Sequence, residues 1–165
     1  SDQEILTTTD RLYQQVGLTR AYFSAFQPVP GTPLADHPPT PLTREHRLYQ
    51  ADFLFRQYGF KLNELVFDAQ GHLPLATDPK LLWAQCHPER FPLEINTAGR
   101  EELLRVPGIG PRAVSRLLKM RREGRLRKVE ALKAAGAVAS RAAPYLLLDG
   151  RPGAPQQLSL WESAL

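Results

Sequence analysis

The residues best suited to hold another molecule lie in the segment Val106-Pro107-Gly108-Ile109-Gly110-Pro111-Arg112. A helix that begins at Pro111 leaves its first backbone amides without partners inside the helix, and the helix dipole adds partial positive charge there. Glycine has no side chain that would keep an anion away from such amides. We therefore expect one phosphate oxygen to accept hydrogen bonds from several backbone N–H groups, those of Gly108, Gly110, Arg112 and Ala113.

Positive charge is concentrated around the same segment. Residues 100–128 contain ten basic and three acidic residues, a net charge of +7, whereas the whole chain carries +4. The ten basic residues are Arg100, Arg105, Arg112, Arg116, Lys119, Arg121, Arg122, Arg125, Arg127 and Lys128. Such an asymmetry is typical of a protein that binds a polyanion, and the alternative is a solvated helix face.

Two helices are expected to position the glycine segment. The first covers about 100–105 and is broken by Pro107 and Gly108, and the second covers about 111–122. Gly110 is expected to let the backbone turn sharply between them. The apolar residues that should be buried are Leu103, Leu104, Ile109, Val114, Leu117 and Leu118.

A degraded repeat of this pattern runs from Leu132 to Pro144. Gly136 aligns with Gly108, but Val138 stands where the second glycine would be, and Ala135 replaces the proline. A side chain at position 138 would crowd a phosphate. We expect this second turn to be structural and to complete a pseudo-two-fold helical domain, with DNA contact as the alternative.

The rest of the chain predicts a mostly α protein with several segments. A helix over 1–17, capped by Ser1 or Asp2, precedes an apolar strand at Leu18–Phe26. Six prolines between 28 and 42 predict an extended connector. A helix over 44–58, capped by Thr43, and another that starts at Thr77-Asp78-Pro79 follow. The predicted divisions are 1–27, 28–42, 43–90, 91–149 and a flexible tail over 150–165.

Several classes of protein are excluded by composition. Cys86 is the one cysteine, which excludes an internal disulfide framework and a multi-cysteine metal site, and a reducing cytoplasm is expected. The sequence contains no run of about 18 apolar residues, so it predicts no membrane-spanning helix. We expect no catalytic residue and no metal ligand, because the histidines accompany neither a nucleophile motif nor metal-ligand spacing. They are His37, His46, His72 and His87.

The glycine segment and its surroundings resemble the helix–hairpin–helix family, from Ile95-Asn96-Thr97-Ala98 through Val106-Pro107-Gly108-Ile109-Gly110 to Leu126–Leu132. Members bind DNA without sequence preference, through the minor-groove side of the backbone. The resemblance implies a DNA-binding set of Pro107, Gly108, Ile109, Gly110, Arg112, Ala113, Arg116 and Lys119. In some members carbonyl oxygens hold a monovalent cation, which here implies Leu104, Val106 and Ile109.

Nearly the whole chain resembles the C-terminal portion of a radical S-adenosylmethionine family of DNA modification or repair proteins. The resemblance includes residues 21–34, 49–60, Asp78-Pro79-Lys80 and 87–92. It implies that residues 1–27 are the last helix and strand of a partial α/β barrel. It also implies a 4Fe–4S cluster and S-adenosylmethionine in a longer parent protein, with the catalytic half upstream. The cluster needs three cysteines in a CxxxCxxC loop, so no cofactor is expected in this chain alone.

The tail contains a peptide that resembles the bacterial sliding-clamp-binding motif, Gln157-Leu158-Ser159-Leu160-Trp161, with tryptophan where phenylalanine is usual. A glutamine hydrogen bond and apolar anchors suit a preformed groove. The alternative is that these residues fold back on the domain itself.

Two functions are therefore expected to compete. The first is a DNA-backbone-binding module of a larger repair or modification enzyme, associated with the nucleoid. The second is a protein-interaction scaffold in which the helices and tail dock replication or repair proteins. A self-contained hydrolase is disfavoured.

Overall fold

The computed structural model describes residues 1–154, which belong to two compact units that divide between Cys86 and His87. The regular structure is mainly helical, as the sequence predicts. The helices of the first unit are α1 Asp2–Val16, α2 Leu42–Tyr58, a 3-10 turn Leu62–Glu64 and α3 Pro79–Cys86. Those of the second are a 3-10 turn Pro88–Arg90, α4 Arg100–Arg105, α5 Pro111–Glu123, α6 Glu130–Ala134, α7 Ala139–Ala142 and a 3-10 turn Ala143–Tyr145. The strands are β1 Leu93–Glu94, β2 Leu146–Leu148 and β3 Arg151–Pro152.

In the first unit, helices α1 and α2 pack together. The Ser1 side chain accepts a hydrogen bond from the Glu4 amide and so caps α1, as predicted. Helix α2 begins earlier than predicted, at Leu42 after Pro41, so Thr43 is not its cap. The Asp78 carboxylate accepts a hydrogen bond from the Leu81 amide at 3.0 Å, which confirms the predicted start of α3.

The strand predicted at Leu18–Phe26 is wrong. The segment has no strand neighbour, and its amides are satisfied by side chains of the two helices instead. The Ala21 amide donates to Tyr13 Oη at 2.9 Å, and the Phe23 amide donates to Tyr49 Oη at 3.0 Å. Because helical side chains take the place of a partner strand, the sequence of the segment alone could not distinguish the two structures.

The extended connector predicted for the proline-rich segment is also wrong. Residues 30–37 form successive turns, in which the Ala35 amide donates to the Thr32 carbonyl and the His37 amide to the Leu34 carbonyl, each at 3.1 Å. The Thr40 amide then donates to the Phe26 carbonyl at 2.8 Å. This bond brings the two ends of the segment together and makes it a loop.

An ionic cluster lies inside the first unit. Asp52 is fully buried and forms an ion pair with Arg56, and it also accepts a hydrogen bond from Tyr13. Burial, and then the hydrogen bond to Asp52, raises the pKa of Tyr13. A buried carboxylate requires such partners because desolvation penalises its charge.

The second unit has an apolar core surrounded by short helices and closed by a small sheet. Its fully buried side chains include Ile95, Leu103, Ile109, Leu117, Leu132 and Leu146. Strand β2 pairs parallel with β1 and antiparallel with β3. The Asn96 side chain bonds both backbone groups of Leu126, at 2.8 and 3.0 Å, and ties the loop after α5 to the end of β1.

The described part of the predicted tail is not a flexible spacer. Arg151–Pro152 is strand β3, and the Gly153 amide donates to the Leu146 carbonyl at 2.9 Å. Gly153 is buried, and a Cβ there would lie 2.7 Å from the Ala143 carbonyl oxygen. Close packing against Ala143 therefore accounts for the glycine at this position.

Candidate nucleic-acid interface

Helices α4 and α5 hold the predicted glycine segment as a tight turn. Helix α4 ends at Arg105, and the Val106 amide donates to the Leu103 carbonyl at 3.2 Å. The Ile109 amide donates to the Val106 carbonyl at 3.2 Å, and the Ile109 side chain is buried with 1% exposure. The turn is thus anchored from inside by Ile109, as the sequence predicts, and its two glycines remain partly exposed.

All four amides predicted to bind phosphate are without a hydrogen bond in the part of the chain that the structure describes. Within residues 1–154, no hydrogen bond is donated by the backbone N–H groups of Gly108, Gly110, Arg112 or Ala113. The Ile109 amide differs, because it is bonded to Val106. Helix α5 has 13 residues and a proline at its first position, so its dipole and its unpaired amides both favour an anion at this end.

Backbone conformation requires glycine at only one of the two glycine positions of the turn. Gly108 has φ +79°, and a Cβ there would lie 2.7 Å from the Val138 carbonyl oxygen. Gly110 has φ −103° and ψ 172°, an extended conformation open to any residue. The sharp bend is therefore at Gly108, and the prediction that Gly110 supplies it was wrong. Backbone conformation does not require glycine at 110.

Helix α5 has one buried face and one exposed basic face. Ala113, Val114 and Leu117 point into the core, which places the predicted site residue Ala113 largely out of solvent at 4% exposure. The exposed basic face consists of Arg112, Ser115, Arg116, Lys119 and Arg122. Among the described residues, Arg112, Lys119 and Arg122 have no ion pair or side-chain hydrogen bond. Helical spacing from Arg112 could have identified Ser115 and Arg122, which the sequence analysis did not select.

Other basic residues of the 100–128 segment are used to hold the fold. The Arg121 guanidinium donates to the carbonyls of Ile95 and Ala98, at 3.1 and 2.6 Å. Arg125 and Arg127 both pair with Asp149, and these contacts, the Arg125 hydrogen bond first, lower the pKa of the Asp149 carboxyl. The net charge of the segment therefore overstates the charge available to a ligand.

The second turn, Gly136–Ala142, differs from the first in its hydrogen bonds. The Val138 amide donates to the Gly108 carbonyl at 2.9 Å, while the Arg141 and Ala142 amides donate to the Val138 carbonyl at 3.0 and 3.1 Å. Gly136 has φ +84° and so shares the left-handed conformation of Gly108. The Val138 side chain is 53% exposed.

The remaining predicted site residues are less informative. The Val106 carbonyl, one of the three proposed for a cation, already accepts the Ile109 hydrogen bond. The clamp-like peptide Gln157–Trp161 lies outside the described residues. Over residues 1–154 no group of three or more His, Cys, Asp or Glu side chains could hold a metal ion, and no helix is long and apolar enough to cross a membrane.

No protein-family model, curated protein or solved structure matches this chain.

Proposed function

We propose that the second unit binds the phosphate backbone of DNA without reading its sequence. The observation that carries this proposal is the set of unbonded amides at the turn before α5, next to the exposed basic face of that helix. Amides at a helix N-terminus suit a phosphate oxygen, and cations along one face suit its neighbours. Helices α4 and α5, with the turn between them, would be the first half of a helix–hairpin–helix domain.

Two further features support the same assignment. Gly110 has no side chain directly before α5, although its extended conformation does not require glycine. The turn at Gly136 shares the positive φ of Gly108 at an interval of 28 residues, which supports a pseudo-two-fold arrangement of two hairpins. In that arrangement α6 and α7 are the counterparts of α4 and α5.

We assign this module to a larger DNA repair or modification protein, on the resemblance to the radical S-adenosylmethionine family. Cys86 alone does not fit a CxxxCxxC loop, so the cluster would belong to the parent protein and no reaction step is assigned to this chain. A sliding clamp that engages Gln157–Trp161 is a second partner of the same proposal.

Titration of a labelled duplex of mixed sequence at several salt concentrations tests the proposal. Contacts from the turn, Arg112 and Lys119 predict a log–log salt slope of about −3. The double variant Arg112→Gln/Lys119→Gln should weaken binding about ten-fold or more and reduce the slope by about two. Arg11→Gln removes a positive charge from an exposed position of α1 and should change affinity less than about two-fold.

The scaffold alternative makes the opposite prediction for the same proteins. If the helices dock another protein, the unsubstituted chain shows no salt-sensitive binding to duplex DNA, and the double variant behaves like Arg11→Gln. That result would reject the DNA-binding proposal.

A further inference from the structure

We propose that the second turn, Gly136–Ala142, holds no phosphate and instead positions the first turn, with the Val138 backbone amide as the positioning group. This inference rests on the proposed function and specifies which of the two turns contacts the DNA backbone. The inference follows from which backbone amides of each turn donate hydrogen bonds to carbonyls of the protein.

The two turns touch through their backbones. The Val138 amide donates to the Gly108 carbonyl at 2.9 Å, and a Cβ on Gly108 would lie 2.7 Å from the Val138 carbonyl oxygen and 2.9 Å from the Arg141 Cβ. This contact fixes the peptide that follows Gly108 and with it the direction of the next amides. Positioning of this kind is what a bound phosphate requires, because several N–H groups must point at one oxygen.

In the second turn, two backbone amides already donate hydrogen bonds to carbonyls, while their counterparts in the first turn donate none among the described residues. Val138 corresponds to Gly110 and Arg141 to Ala113, at the same interval of 28 residues. The Val138 and Arg141 amides are bonded to carbonyls, whereas those of Gly110 and Ala113 are not. Helix α7 has four residues, so it also contributes little dipole. The second turn therefore lacks both features that make the first one suitable for an anion.

Arg116 adds a link between the two turns. Its Nη1 atom donates to the Ala135 carbonyl at 3.4 Å and lies 3.0 Å from the site of a Cβ on Gly136. The exposed guanidinium of Arg116 is thus held over the second turn by a long hydrogen bond. Arg116 therefore links α5 to the chain at Ala135 and Gly136.

A matched pair of serine variants tests which turn meets DNA. Ser115 on α5 and Ser140 in the second turn are both exposed, so glutamate at either site changes the charge equally. We expect Ser115→Glu to weaken duplex binding about ten-fold and Ser140→Glu to weaken it clearly less, because Ser115 lies on the exposed basic face that the proposed function assigns to the DNA backbone. Equal weakening by the two variants would overturn the inference.

A second pair at Val138 tests the positioning role. Val138 has φ −78°, which proline adopts, so Val138→Pro removes the N–H donor to Gly108 and places the ring Cδ against the Gly108 carbonyl, which must move away. Val138→Ala keeps the donor and serves as the conservative control. We expect Val138→Pro to weaken binding about ten-fold and to lower the salt slope by about one, while Val138→Ala stays within about two-fold of the unsubstituted chain.

The possible results distinguish failure of the proposed function from failure of the positioning role of Val138. The absence of salt-sensitive duplex binding by the unsubstituted chain rejects the proposed function itself. Normal binding by a folded Val138→Pro variant, with an unchanged slope, rejects only the positioning role. If Val138→Pro does not fold, the serine pair still decides whether the second turn meets DNA, since both of its substitutions are at exposed sites.

Discussion

Gly108 and Gly110 stand two residues apart but meet different requirements. Gly108 is fixed by the fold, since its φ of +79° and its approach to the Val138 carbonyl both exclude a side chain. Gly110 has an ordinary extended backbone, so conformation gives no reason for it. The sequence shows the two glycines as a single motif, and only the backbone angles reveal that conformation requires glycine at 108 and not at 110.

Alanine at each glycine should therefore separate stability from binding. We expect Gly108→Ala to destabilise the second unit by about 2–4 kcal/mol, from left-handed strain and from overpacking against Val138. Gly110→Ala should change stability by less than about 1 kcal/mol, because an extended backbone suits alanine, and the proposed function predicts about ten-fold weaker DNA binding from a methyl group directly before the first amides of α5. Chemical denaturation and duplex titration measure the two effects. Full DNA affinity in a folded Gly110→Ala variant would contradict this account.

At the scale of elements, local patterns predicted the helices well and the tertiary pairings poorly. The cap at Ser1, the proline after Asp78 and the glycine turn act within a few residues, so α1, α3, α4 and α5 were predicted close to their observed bounds. The helical side chains that bond the segment 18–26 come from distant positions, as Tyr49 shows, and the sequence gives no pattern for them.

The small sheet illustrates the same limit. Its two- and three-residue strands are too short to show alternation, and β1 pairs with β2 across 53 positions of the chain, Leu93 with Leu146. The unbonded amides, the glycines and the exposed basic face all lie within a short stretch around α5, so a local pattern is enough to indicate that they are neighbours. The local pattern could not reveal that Arg121 bonds backbone carbonyls, nor that Arg125 and Arg127 pair with Asp149 at the surface.

Glu94 connects the end of β1 to the turn between β2 and β3. Its carboxylate accepts hydrogen bonds from the Asn96 amide at 3.0 Å and the Gly150 amide at 2.8 Å. Burial alone would raise the pKa of Glu94, but these and further hydrogen bonds outweigh it, so the pKa is lowered. The ionised carboxylate is therefore the form that holds the sheet together.

The lowered pKa of Glu94 predicts a pH-dependent contribution to stability. Glu94→Gln should lower the free energy of unfolding of the second unit by about 1–2 kcal/mol at pH 7, because a charged acceptor is lost. A carboxyl whose pKa is depressed in the folded state contributes fully above its unfolded pKa of about 4.3 and loses that contribution as pH falls through the folded pKa. Denaturation from pH 7 to pH 3 should therefore show the two proteins converging below about pH 4. A difference that stays constant with pH would contradict the ionic role.

The whole chain divides into two units that each have their own buried side chains. In the first, Leu6, Leu54 and Trp83 are buried among its helices, and Asp52 with Arg56 forms an internal ion pair. In the second, Ile95 and Leu117 are part of the core that supports the turn before α5. A ligand that binds one unit should stabilise that unit, because stability gained from binding goes to the part that unfolds with the site.

Hydrogen exchange with and without duplex DNA measures this division. At a free DNA concentration of about 100 times Kd, binding adds about 2.7 kcal/mol to the unit that contains the site, which slows exchange of its most protected amides about 100-fold. We expect that gain at core amides of the second unit, such as Leu117 and Leu132, and no change at Leu48 and Leu54 of α2. The double variant Arg112→Gln/Lys119→Gln is the control: if its Kd is ten-fold higher, the gain at the same DNA concentration falls to about 1.4 kcal/mol, or about ten-fold slower exchange. Equal slowing in both units would mean that they unfold together or that DNA contacts both, and a gain confined to the first unit would place the site away from α5.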